Sequence, residues 1–141
     1  MSEINFFSED IEFILPEEKK IRLWLLKISL KEEKTLEIIN FIFCSDPYLQ
    51  KINKEYLNHD TFTDIITFPY GEDDILEGDI FISIDRIREN AVIFNISFNE
   101  ELLRVMSHGI MHLCGYNDKN EKEQAEMRRK EDESLEVWRS T

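Results

Sequence analysis

The chain has 141 residues, of which 42% are apolar and ten are Phe, enough for one compact domain with a single core and too apolar for a disordered segment. Its net charge of −13 works against non-specific attraction to a phosphate backbone and favours solubility. A bound cation or a few local Arg can still create a positive spot on such a body.

The start, MSEINFFSED, has no basic stretch and no apolar run of signal length, so secretion is not expected. A short strand is predicted around Ile4 to Phe7. Pro16 suits a first helical turn, and Ile21, Leu25 and Ile28 then recur at helical spacing. Leu36 to Cys44, rich in β-branched and aromatic residues, reads as a buried strand. Asp46 followed by Pro47 reads as a cap with proline in the first turn, opening a helix through Leu49, Ile52, Tyr56 and Leu57. Asp64 to Phe68 is a strand ended by Pro69, and Asp79 to Ile84 a second one beyond the acidic loop GEDDILEG. Arg86 to Phe94 and Phe98 to Cys114 read as helices, with Gly115 placed as a stop. Asn120 and Glu123 have capping-box spacing for a terminal helix, Glu121 to Trp138, read as an exposed charged face. Its Arg128-Arg129-Lys130 is the basic cluster that can touch RNA phosphates.

These elements predict an α+β fold, an α/β sandwich in which a mixed sheet of about four strands packs with about five helices. No repeat, linker or boundary divides residues 1–141, so one domain is expected. No apolar stretch approaches 18 residues, so no membrane span is expected. Cys44 and Cys114 lack CxxC spacing and sit in apolar runs, which favours reduced thiols in the cytoplasm.

The stretch HGIMHLCGYND, residues 108 to 118, carries the chemistry. His108 and His112 stand at i and i+4, so on a helix both imidazoles reach one point. They lie more than about 100° from the arc shared by Leu102, Met106, Ile110 and Leu113, outside the main packing stripe. Gly115 can turn the chain back through a left-handed conformation and return Asp118 as a third group. Two His and a carboxylate leave a coordination position open, as catalytic zinc sites require. The residues alone leave two readings: a metal site, or an ordinary helix end with a capping Gly and a solvated Asp. The frame resembles that of metzincin peptidases, but Gly109 occupies the place of their general-base Glu, which argues against peptide hydrolysis. Cys114, about 200° from His112 around a helix, is a poor fourth ligand.

The same stretch is similar to the signature of the YbeY family, HGxLHLxGYDH, matching at His108, Gly109, His112, Leu113, Gly115 and Tyr116, with Met111 in place of Leu. Tyr56-Leu57-Asn58 with Thr63-Asp64-Ile65-Ile66-Thr67-Phe68 resembles the family's LN and T(D/N)VLSF segments, and Gly78 to Ser83 its GDIxIS strand. The resemblance implies a mixed sheet packed with helices, one Zn²⁺ in a cleft, and single-strand-specific endoribonuclease activity in 16S rRNA maturation and ribosome quality control. The implied partners are ribosomal or precursor RNA and ribosomal proteins; DNA is not expected. Its metal ligands fall on His108, His112 and Asp118, the last replacing a family histidine. The family's loop Arg is missing from residues 59–62, where His59 is the candidate catalytic group, either as phosphate contact or as acid–base, or else a rival third ligand. Thr63, Asp64 and Thr67 are candidates for orienting that loop. The alternative function is a ribosome-assembly or partner-binding factor whose metal is structural.

Overall fold

The computed structural model describes residues 2–57 and 63–141. In chain order its elements are β1 (Glu3–Ser8), α1 (Glu18–Lys31), β2 (Thr35–Cys44), α2 (Asp46–Leu57), β3 (Ile65–Pro69), β4 (Ile75–Ser83), α3 (Ile84–Phe94), α4 (Phe98–Leu113) and α5 (Glu121–Arg139). The strands form one sheet in the order β1-β2-β4-β3, parallel except for the β3–β4 pair. This is the mixed sheet with five helices that the pattern of elements predicts.

Alternation along the strands divides the apolar residues between two faces. Ile39, Phe41 and Phe43 of β2 and Ile80 and Ile82 of β4 enter the main core, where α1 and α4 cover the sheet and α5 packs on those two helices. Ile66 of β3 joins Cys44, Leu49 and Ile52 in a smaller cluster under α2, with Phe68 and Phe81 beside it. Helix α4 is central because nine of its residues, from Glu101 to Met111, are buried. The Trp24 indole N–H of α1 donates to the Ser134 carbonyl of α5 at 2.7 Å, and its ring packs edge-on to Trp138.

Several local expectations change in the structure. Pro16 precedes α1 rather than opening it: Glu17 takes a positive φ of 53°, and the helix begins at Glu18. At α2 the capping hydroxyl belongs to Ser45, which accepts from the Tyr48 N–H at 3.2 Å. Asp46 instead accepts from Ser83 and pairs with Arg86 at 2.9 Å, linking α2 to α3. Strand β4 begins within the acidic loop, because Ile75 and Leu76 pair with Thr35 and Leu36 of β2. Asn120 caps α5 as expected, accepting from the Glu123 N–H at 2.8 Å. Helix α5 is not simply a solvated face: Met127, Glu131, Ser134 and Leu135 are buried against its neighbours. Among the described residues no helix is long and apolar enough to cross a membrane.

Candidate metal centre

Close approach of α4 to the sheet positions the two histidines. A Cβ on Gly109 would lie 2.9 Å from Ile65 Cδ1 and 3.1 Å from Ile80 Cγ2, so the missing side chain lets α4 settle onto β3 and β4. This also explains the absence of a general-base Glu at that position, since its side chain would point into the sheet. His108 and His112 flank this contact and face an open cleft of about 470 Å³ at the β3 edge.

The helix ends in a Schellman turn. Gly115 has φ +105°, its N–H donates to His112 O at 3.0 Å, and the Tyr116 N–H donates to Met111 O at 3.0 Å. Reversal at Gly115 returns Asp118 to the histidines. Its Oδ2 lies 3.2 Å from His108 Nε2 and 3.4 Å from His112 Nε2, and one ligand atom from each residue falls within 4.8 Å of the others. His108, His112 and Asp118 therefore form a cluster capable of coordinating a metal ion.

Both outward nitrogens are free for that purpose because both inner ones are engaged. His112 Nδ1 lies 2.9 Å from Tyr116 O. A carbonyl only accepts, so Nδ1 carries the proton and Nε2 keeps its lone pair for the cleft. His108 Nδ1 lies 2.7 Å from Glu131 Oε2 on α5. Metal-binding histidines are oriented in this way by a carboxylate or a backbone carbonyl. Tyr116 is itself held in place, its hydroxyl donating to Glu32 at 2.6 Å while Lys130 holds the other Glu32 oxygen at 2.9 Å. Burial works to lower the His108 pKa, but the hydrogen bond and charge of Glu131, with Asp64 and Asp118, outweigh it and leave it raised. Such a proton competes with a cation for the same imidazole.

Asp64 is the other titratable group among the described residues of this cleft, beside Thr63 and Thr67. Burial raises its pKa, and the nearby His108 opposes that rise. No Arg or Lys lines the cleft among the described residues. His59 and the rest of its loop lie outside the described residues. Cys114 packs against the main core, and burial pushes its thiol up to about 12, unsuited to a thiolate ligand. The basic run of α5 is divided: Lys130 is turned inward to Glu32, Arg128 approaches Glu131 at 3.8 Å, and Arg129 pairs with Glu133 at 3.4 Å.

Glu131 and the Tyr116 carbonyl are the functional groups that sequence reasoning missed. A backbone carbonyl leaves no mark in a sequence. Glu131 has one signal, its helical spacing from Met127 and Leu135, which places a carboxylate on the buried face.

The sequence model described as Endoribonuclease YbeY matches residues 3–139. An Endoribonuclease YbeY from Christiangramia forsetii is 53% identical over 136 residues, covering 96% of this chain and 94% of its own. One from Flavobacterium johnsoniae is 50% identical over 132 residues, covering 94% and 95%. Among solved structures, the solution structure of TM1509 from Thermotoga maritima superposes with a TM-score of 0.66 at 31% identity, covering 96% of this chain and 88% of that one. With matches that span nearly the whole sequence and two histidines and a carboxylate gathered at the end of α4, the chain belongs to the YbeY family of endoribonucleases.

Proposed function

We propose that this protein is a zinc-dependent endoribonuclease that cleaves single-stranded RNA, with 16S rRNA precursors as its substrates and ribosome quality control as its setting. The observation that carries the reading is the convergence of three ligand atoms on an open cleft, both imidazoles already fixed through Nδ1. Two His and one carboxylate suit Zn²⁺ with room for a further ligand. When bound, the ion supplies Lewis acidity toward a phosphodiester and toward water.

His108, His112 and Asp118 hold the ion, while Glu131 and the Tyr116 carbonyl keep the rings aimed. Asp64, across the cleft, is the group that exchanges a proton with the attacking water. As oxygen attacks phosphorus, the bond to the leaving ribose oxygen breaks; one proton leaves the water and one is returned to the leaving group. His59 is retained as a candidate phosphate contact in place of the missing loop Arg. Residues 1–141 act as one unit, and ribosomal substrates go with a cytoplasmic setting.

The test is elemental analysis joined to cleavage. Purified protein is expected to carry about one zinc per chain and to cut single-stranded RNA and rRNA precursors in preference to duplexes. His108→Ala and His112→Ala are expected to abolish both properties. Metal-loaded protein that binds RNA or ribosomes without cutting would instead support the assembly-factor alternative. A structural ion is normally closed by four protein ligands, and three are gathered here among the described residues.

A further inference from the structure

We infer that Glu131 is a positioning residue for the metal and that, through it, cation binding and the docking of the terminal helix α5 are coupled. This rests on the metal site proposed above, and it adds a residue and a regulated element outside that site's ligand set.

The two oxygens of Glu131 have separate hydrogen-bond partners, both from α4, and Arg128 of α5 itself approaches Oε1 at 3.8 Å. Oε2 takes the His108 Nδ1–H at 2.7 Å, and Oε1 takes the Arg104 guanidinium at 3.2 Å. Arg104 and His108 are one turn apart, so α4 presents them side by side to a single carboxylate. The Glu131 side chain is only 9% exposed, and Arg104 is 17% exposed. A carboxylate this far from water needs charged partners, and the guanidinium balances it while the imidazole is aimed. Around this pair, Met127 and Leu135 pack α5 against the main core.

A cation at His108 Nε2 draws electron density from the ring and makes Nδ1–H a stronger donor to Glu131. The hydrogen bond between α4 and α5 therefore tightens when the site is filled. Coupling of this kind is reciprocal: whatever the ion does for α5, a docked α5 does for ion affinity. Glu131 therefore sets affinity from outside the coordination sphere, and the ion in turn fixes the last helix of the chain.

The test measures zinc affinity of the full chain by competition with a chromophoric chelator, together with amide exchange of residues 127–138 with and without zinc. Glu131→Ala is expected to weaken zinc affinity about 10- to 100-fold, and Glu131→Gln, which keeps an acceptor but loses the charge, by less. Asp132→Ala, which removes the exposed second partner of Arg104, is expected to leave affinity unchanged. Zinc is expected to slow exchange in α5 of the natural protein and not in Glu131→Ala. Affinity within twofold of the natural protein in a folded Glu131→Ala, or α5 exchange indifferent to zinc, would overturn the inference. Because neither the affinity nor the exchange measurement uses RNA, Glu131-dependent zinc binding without cleavage would sustain this inference while sinking the nuclease. Cleavage with Glu131-independent affinity would do the reverse, and absence of zinc binding would overturn both.

Discussion

Two clefts of similar size open on either side of the edge strand β3. One, of about 470 Å³, is lined by His108, His112, Asp118 and Asp64; the other, of about 420 Å³, by Tyr48, Tyr56, Phe68, Tyr70 and Phe81 beside α2. Volume does not separate them. In the second cleft the carboxylate of Asp79 is already engaged: the Tyr70 hydroxyl and the Asn40 amide donate to it at 3.0 Å. In the first, two ring nitrogens and a carboxylate oxygen face one point, and the rings are fixed from behind. Convergence with outer support distinguishes a reaction centre from a depression between rings.

That contrast can be broken most severely at the ligands. His112→Ala is expected to lower cleavage by about 10³-fold or more and to release the metal, since Lewis-acid assistance supplies several kcal/mol. Tyr56→Ala in the aromatic cleft should leave metal content unchanged. Placing a carboxylate at the helix–sheet contact is the next most damaging change. Gly109→Glu should destabilise the fold by at least about 3 kcal/mol, read by chemical denaturation, and should confer no peptidase activity. Asp64→Asn sharpens the division of roles within the metal cleft: a fall of about 10²-fold in kcat with metal content unchanged marks a proton-exchanging group. A parallel loss of metal would make it a ligand instead.

The smallest effect concerns what lies behind the cleft. Glu101 on α4 is buried, its Oε1 has no hydrogen-bond partner among the described residues, and burial, reinforced by Asp64, pushes its pKa up to about 7. The folded chain therefore holds this proton over a range where the unfolded chain has released it. Stability of the metal-free protein should fall as pH rises from about 4.5 to about 7. The raised pKa of His108 acts in the same sense, its contribution present below about 6.5 and lost as pH rises through the folded value. Glu101→Gln should reduce the total loss of stability across that pH range by on the order of 2 kcal/mol, measured by denaturation at several pH values. An unchanged slope would show that this carboxyl is not the source.

How much of this was legible in the sequence depended on which residues interact locally. His108 and His112 are one turn apart, and Gly115 and Asp118 follow within six residues of His112, so spacing and handedness disclose the cluster. The three ordered blocks disclosed the family and, through Asp64 to Phe68 and Gly78 to Ser83, strands β3 and β4, while β1 and β2 were legible from their apolar and β-branched composition. Glu131 is 23 residues from His108 and sits among Arg128, Lys130, Asp132 and Glu133; its spacing from Met127 and Leu135 marks the buried face of α5, but nothing nearby in the sequence names His108 as its partner. The start of β4 was hidden because its pairing with Thr35 and Leu36, not its own composition, makes residues Ile75 and Leu76 a strand. The cap of α2 shifted from Asp46 to Ser45 because Ser83 and Arg86, distant in sequence, claim the aspartate. Long-range partners decided each of these cases, and no local pattern encodes them.

X-ray absorption spectroscopy of the zinc-loaded protein in solution tests the central claim most directly. Two imidazole nitrogens near 2.0–2.1 Å and carboxylate oxygen near 2.0–2.2 Å, with a light-atom position left for solvent and no sulfur, are the expected coordination shell. A sulfur scatterer near 2.3 Å, fewer than two imidazoles, or a further protein nitrogen completing the shell would contradict it.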